Sequence, residues 1–391
     1  MIPIQQSFSV SYQYEVIFTN NLFHPGNPVF SKLLDSEKGE KPAKVFFVVD
    51  KGVAETHPLL QGRIINYCNS VASDFHLTGP PLIIEGGENV KNRRDYLDKI
   101  LCSIEENGLC RHSYLAVIGG GAVLDMAGFA AAIAHRGIRL IRIPTTVLAQ
   151  NDSGVGVKNG INAFGKKNFL GTFYPPYVVI NDFNFLQTLS DKDYRSGISE
   201  AVKVALLKDP GFFKFIEYNA CQLNSRNQDV MKILIHRCAE LHMEHISGGD
   251  PFEAGSSRPL DFGHWAAHKL EQLSGCSINH GEAVAAGIAL DCAYAYLIKL
   301  LSKEDLGRIL SVLKQVGFKL FFEEMLVVID ERNALLNGIN EFREHLGGRL
   351  TIMLLEEIGK GKEVHQISED IMLQAIKLLK EYELQPADFE I

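Results

Sequence analysis

Residues 117–137 read VIGGGAVLDMAGFAAAIAHRG. A short apolar run ends on three consecutive glycines, Gly119 to Gly121, and an alanine-rich stretch follows at once. A strand that turns through glycine into a helix is the repeating unit of parallel α/β sheets. Glycine lets another group approach the backbone closely, and a helix N-terminus offers free N–H groups and the positive end of a dipole to a phosphate. The run is not the G-x-G-x-x-G dinucleotide fingerprint, so a phosphate-bearing cofactor and a ligand-free βα turn both remain compatible with it.

Upstream lie two similar runs, KVFFVVD at 44–50 and PLIIEGG at 81–87, with a helical pattern at about 92–107. Apolar runs without alternation suit strands buried on both faces, so the reading is a mainly parallel α/β domain. The first 18 residues alternate polar and apolar side chains like an edge strand. Downstream, residues 140–176 carry Thr145, Thr146, Asp152, Lys158, Lys167 and Asn168 among many glycines. So many donors with one acid suggest a grip on a polyol or phosphate, while a solvated loop accounts equally well for each lysine alone.

From about residue 183 the pattern becomes helical, and the expected domains are 1–182 and 183–391. Glu200 and Lys203 fall three apart on a helical face, where a surface ion pair is the ordinary reading. Residues 257–282, SRPLDFGHWAAHKLEQLSGCSINHGE, place His264 and His268 four apart and His280 beyond a short loop. Residues four apart share a helical face, so two imidazoles could meet one ion, and a third group from another segment would close the site. A pair of histidines with no ligand is the competing reading.

At 391 residues the chain is long enough for two cores. Its net charge of −8, with no basic run, disfavours nucleic acid or an anionic membrane as partner. No export signal or membrane-spanning run is visible, and seven scattered cysteines without a CxxC pair suit a reducing compartment. A cytoplasmic location is the expectation.

Taken together and in order, GGEN-x-K (86–91), GGG-x3-D (119–125), PTT-x-LAQ-x-D (144–152), GK-x-N (165–168), SEAVK (199–203), FGH-x3-H (262–268) and HGE (280–282) resemble 3-dehydroquinate synthase and its relatives, the sugar phosphate cyclases. The resemblance implies a Rossmann-like NAD-binding α/β domain, a helical metal-binding domain and an active site in the cleft between them. It implies that Glu200, His264 and His280 bind a divalent metal, zinc in the family's usual form, with cobalt an alternative. Asp50, Glu88, Lys91, Gly120, Gly121, Asp125, Thr145, Thr146 and Lys167 match cofactor contacts. Asp152, Lys158, Asn168, Lys203 and His268 match groups around the substrate, Asp261 occupies a further position of that set, and Arg136 matches one that reaches the neighbouring site of a homodimer. The implied reaction is redox-neutral: transient oxidation by NAD, phosphate elimination, re-reduction and an intramolecular aldol closure.

Some positions depart from the 3-dehydroquinate synthase pattern. Counted without gaps, the substrate-carboxylate partners of that enzyme fall on Met243 and Ser257, although Arg258 is adjacent to the second. Asp261 stands where that enzyme has asparagine, and a further lysine position falls on Arg343 or Glu344. A carboxylate left unpaired in a desolvated site costs several kcal/mol. The expected substrate is therefore an uncarboxylated C7 sugar phosphate, sedoheptulose 7-phosphate, giving a valiolone-type cyclitol. His268 departs in turn from the valiolone-type pattern, which has proline there. The alternatives are 3-dehydroquinate synthase itself and a metal-dependent polyol dehydrogenase, which would consume NAD and release no phosphate. A non-catalytic sugar-phosphate binder would have little use for metal ligands and a cofactor turn together.

Overall fold

The structure, a computed structural model, describes residues 3–35, 42–71, 75–248, 251–252, 259–275, 277–345 and 350–384. The chain forms two compact units. One contains residues 1–145 and 156–185, the other residues 146–155 and 186–391. A single break near residue 182 does not describe this division, because a ten-residue segment leaves the first unit for the second.

The first unit is built on a seven-stranded sheet of β1 (Glu15–Thr19), β2 (Ala43–Asp50), β3 (Phe75–Leu77), β4 (Leu82–Ile84), β5 (Tyr114–Gly119), β6 (Arg139–Pro144) and, after an antiparallel hairpin of β7 (Lys158–Ala163) and β8 (Lys166–Phe173), β9 (Val178–Asp182). The sheet runs β1-β9-β6-β5-β2-β3, with β4 also on β2, and its pairings are parallel. Side chains alternate across a strand, and here both sides are covered. Val45, Phe47 and Val49 join a cluster with Phe30, Ile64 and Tyr67, while Phe46 and Val48 are buried outside it. Each such side chain contributes about 1.5–3 kcal/mol of transfer free energy before entropy is counted. The edge strand at the N-terminus is confined to residues 15–19, and residues 3–12 are exposed.

Helices connect the strands: α1 (Val29–Asp35), α2 (Lys51–Thr56), α3 (Leu60–Ser70), α4 (Arg94–Glu106) and α5 (Gly121–Ile133). From β2 the chain moves toward β3 and β4 on one side, and β5, β6 and β9 follow on the other. The order therefore reverses between β2 and β5, and in open α/β sheets ligands bind beyond the carboxyl ends of strands at such a point. Asp50 ends β2 and the triple glycine ends β5.

The second unit is mainly helical: α6 (Asp191–Lys208), α7 (Pro210–Asn224), α8 (Gln228–Ser247), α9 (His264–Leu273), α10 (His280–Leu297), α11 (Lys303–Val316), α12 (Asn337–His345) and α13 (Glu369–Leu384). Helix α10 is apolar all round and buried along nearly its whole length, as a central helix should be. The RLTIMLL run forms a strand, Ile352–Glu357, paired antiparallel with Lys360–Val364. Residues 146–155 join this unit through a wide turn of π-helical pitch at Ala149–Ser153 that packs on α6 and α8. Gly197 makes the approach feasible, since a Cβ there would lie 2.4 Å from the Leu148 nitrogen. Asn151 Nδ2 then donates to the Gly197 carbonyl at 2.7 Å. Such single wide turns recur at functional sites.

Candidate functional site

In the second unit, α6 starts on a Ser190 cap and carries Glu200 and Lys203 on one face. Both are buried, and Lys203 Nζ lies 2.5 Å from Glu200 Oε2. The pair is thus no surface ion pair. Burial works against the Glu200 charge, but Lys203 and His264 outweigh it and hold the carboxyl well below its ordinary range. Burial likewise opposes the Lys203 ammonium, yet Glu200 and Asp152 keep its pKa above that of a free lysine.

His264 opens α9 and His280 opens α10, where the Asn279 side chain caps the helix by accepting from the Glu282 N–H at 3.0 Å. Gly281 seats α10 directly on α6, because a Cβ there would lie 2.3 Å from the Ser196 carbonyl oxygen. This close approach brings His280 to Glu200, one turn beyond Ser196. His264 Nε2 is 3.5 Å and His280 Nε2 3.4 Å from Glu200 Oε1, too long for ordinary hydrogen bonds. Glu200 Oε1 is buried and receives no well-formed hydrogen bond. The three ligand atoms lie within 4.8 Å of one another. Two imidazoles and a carboxylate around a common point fit a divalent cation with positions left for a substrate. The far side of the His264 ring is tied as metal-binding imidazoles usually are, and Glu271 stands behind the His280 ring. His264 Nδ1 is 3.1 Å from the Phe262 carbonyl, and His280 Nδ1 is 3.5 Å from Glu271 Oε1.

Without an ion, a proton takes the cation's place. Burial disfavours charge on His280, but Glu200 and Glu271 outweigh it and push the pKa up to about 10. A raised imidazole pKa adds stability that is complete below 6.5 and is lost as pH rises through about 10. Metal-free protein should therefore lose thermal stability progressively between pH 6.5 and 10. Ion-loaded protein should not, since the ion replaces the proton. Parallel melting curves over that range, with and without zinc, check this; superimposable losses would count against the site.

The other groups of this unit gather here too. The ring of His268 lies 5.6 Å from His264 and 6.3 Å from His280, centroid to centroid. Asp261 adds to the field that keeps Lys203 charged. Asp152, carried in on the displaced segment, is 2.9 Å from His242 Nδ1. Burial opposes its charge, but His242 and Lys203 hold its pKa below the ordinary value. His242 and Glu271 escaped the sequence reading. Counting without gaps led to Met243, but on α8 it is His242 that reaches Asp152. Glu271 lies seven residues after His264, the same helical face, and that spacing could have revealed it. Ser257 and Arg258 lie outside the described residues, and Arg343 and Glu344 are exposed on α12.

In the first unit, the turn from β5 into α5 leaves the helix start at Gly120 and Gly121 without a side-chain cap or an acid in its first turn. Such a start suits a phosphate. Asp50 faces the same turn, but its carboxylate is occupied by backbone. Oδ1 accepts from Gly52 at 2.8 Å, and the N–H groups of Val53 and Gly120 also contribute. A Cβ on Gly86 would strike that carboxylate at 2.4 Å, so glycine is required there. Lys91 is buried 2.8 Å from Asp125 and 3.8 Å from Glu88. Burial lowers the Lys91 pKa, but the two acids reverse the shift and keep it cationic. The buried Thr145 donates its N–H to the Gly119 carbonyl at 3.0 Å. Thr146, in the second unit, turns its hydroxyl to the Ala149 N–H at 3.1 Å. Lys158, Lys167 and Asn168 sit on the β7–β8 hairpin, and Arg136 is exposed just after α5.

These features agree with what the chain is similar to. The N-terminal model of 3-dehydroquinate synthase matches residues 81–196, and its C-terminal model matches residues 197–334. The 3-dehydroquinate synthase of Shewanella frigidimarina is 34% identical over 303 residues, covering 75% of this chain and 81% of that protein. That of Aliivibrio fischeri is 32% identical over 340 residues, covering 87% and 91%. Among solved structures, the 2-epi-5-epi-valiolone synthase of Streptomyces hygroscopicus, with NAD+ and Zn2+ bound, superposes with a TM-score of 0.84 at 25% identity, covering 97% of this chain and 99% of that one. The chain belongs to the 3-dehydroquinate synthase family of sugar phosphate cyclases.

Proposed function

We propose that the protein is an NAD- and divalent-metal-dependent sugar phosphate cyclase, a carbon–oxygen lyase that eliminates phosphate from an uncarboxylated C7 sugar phosphate and closes it to a valiolone-type cyclitol. The observation that carries this reading is the cluster of Glu200, His264 and His280, with the Lys203 ammonium held against the same carboxylate. Glu200, His264 and His280 would hold the ion, which would supply polarisation of a substrate hydroxyl, and bound NAD would supply reversible hydride chemistry. The chain's own groups do the rest. Lys203, cationic despite burial, is suited to a phosphate oxygen, and His268, whose ring lies 5.6 Å from that of His264, offers a second donor. Asp152, kept ionised by His242 and Lys203, can accept a hydroxyl proton. Glycines at the β5–α5 turn and the Lys91–Asp125 pair are the proposed nucleotide contacts. Lys158, Asn168 and, from the neighbouring copy of a homodimer, Arg136 are the further proposed phosphate contacts, and Lys167 belongs with the proposed cofactor contacts. A cytoplasmic location belongs to the same reading.

Two observations favour a second reading, 3-dehydroquinate synthase itself. The relatives at 34% identity carry that name, and His242, next to Met243 on α8, brings an imidazole to Asp152 that could meet a carboxylate. Competition between sedoheptulose 7-phosphate and the carboxylated substrate of that enzyme decides between them, with phosphate and NADH followed together. Loss of a charged partner in a desolvated site is worth about 2–5 kcal/mol, so kcat/KM should favour the uncarboxylated sugar by roughly thirtyfold or more. Preference for the carboxylated substrate, lost in His242→Ala or Arg258→Ala, would give the second reading. Accumulation of NADH equal to product would instead indicate a dehydrogenase.

A further inference from the structure

A further carboxylate lies deep in the helical unit, away from the three metal-ligand candidates. Asp291 lies on α10, fully buried. Its Oδ2 accepts the Gly263 N–H at 2.9 Å, and its Oδ1 accepts the Trp265 Nε1–H at 2.9 Å. Those two donors belong to the residues on either side of His264. We infer that Asp291 is a positioning residue, setting the direction in which His264 presents its imidazole to the metal site.

Three features argue for this role. First, the contact is fixed from both ends. Gly263 has φ +78°, a conformation natural to glycine, and a Cβ there would lie 2.7 Å from the Ile288 nitrogen. A Cβ on Gly287 would fall 2.1 Å from the Gly263 carbonyl oxygen, so α10 meets the start of α9 backbone to backbone. Second, α10 also carries His280 as its first residue. Asp291 follows three turns later on the same helix, so one rigid rod sets both imidazoles relative to each other. Third, a buried carboxylate is costly, and burial pushes Asp291 up to about 7 despite its two N–H partners. An apolar side chain could fill the same volume, but could not hold a backbone N–H and an indole N–H in fixed directions. Trp265 is itself almost wholly buried, so its indole cannot swing to another partner.

The inference rests on the proposed metal site, and the test separates the two. Asp291→Asn keeps the shape but turns an amide donor toward one of the two existing donors. Trp265→Phe removes one donor and leaves Gly263 bonded. Wild type, D291N and W265F are loaded with Co2+, and three quantities are read: ion affinity against a chromophoric chelator, the visible cobalt spectrum, and melting of the ion-free form. Groups that orient metal ligands typically change affinity ten- to a hundredfold. D291N should bind Co2+ that much more weakly with a shifted spectrum, and W265F should move both in the same direction by less. A lower melting temperature with wild-type affinity and spectrum would reduce Asp291 to a core hydrogen bond and overturn the inference. If D291N does not fold, W265F decides alone, and an unchanged cobalt spectrum overturns the inference. Failure of the wild type itself to bind Co2+ would remove the metal site, and this inference with it.

Discussion

Glu200→Gln is expected to lose its divalent ion and at least about a thousandfold in kcat/KM. The amide keeps the shape of the carboxylate but removes the only anion of the three-ligand cluster. An ion that stabilises developing negative charge contributes several kcal/mol to a reaction of this kind, and each 1.4 kcal/mol is tenfold in rate. The substitution acts on the fold as well. Lys203 Nζ loses the partner 2.5 Å away while remaining buried. Breaking one side of a buried pair costs about 3–5 kcal/mol, and Asp152 and Asp261, which also act on Lys203, should bring the cost toward the lower end. The pH dependence carries its own sign. A depressed carboxyl pKa adds stability above the ordinary value of 4.5 that is lost as pH falls, so the wild type should show an acid limb that the variant lacks. Metal analysis after gel filtration, with melting curves from pH 3 to 7, reads all three effects. Stoichiometric metal in Glu200→Gln would mean that the ligands have been assigned wrongly.

Lys203→Met should produce the opposite pattern in metal dependence. The ligands remain, so the ion should still bind, but the ion-free protein now buries Glu200 without its ammonium. Ion-free stability should fall by about 3–5 kcal/mol and be largely restored by zinc, because the ion replaces the missing positive charge. Activity should not return with stability. Removal of a preorganised cation from a site where negative charge develops typically costs 10²–10³ in kcat, about 2.7–4 kcal/mol. Melting curves with and without zinc, beside turnover at saturating zinc, separate the two roles. Near-normal turnover in a zinc-stabilised Lys203→Met would leave Lys203 as a structural counter-charge only.

Much of this was legible in the residues. The apolar runs at 44–50, 82–84 and 114–119 became parallel strands because each is short, β-rich and bounded by glycine or charge. The H-x3-H spacing placed two imidazoles on one face of α9, since helical geometry is local and fixed. The triple glycine reads correctly as the end of a strand and the start of a helix for the same reason.

The rest was decided by packing between distant segments. An i,i+3 acid and lysine look alike on a surface and in a core, and only the docking of α10 on Ser196 shows that Glu200 and Lys203 are buried. One residue along a helix is a rotation of about 100°, so the sequence alone does not show that His242, rather than its neighbour Met243, meets Asp152. Residues 146–155 lie within the sequence of the α/β unit but belong to the helical one, held there by close approach to Gly197. The sequence by itself determined which residues form the elements and which donors are available, because those depend on neighbours a few positions away. Which donors share a site, and which of them are desolvated enough to matter, only the tertiary structure decided, because both depend on contacts between residues far apart in the chain.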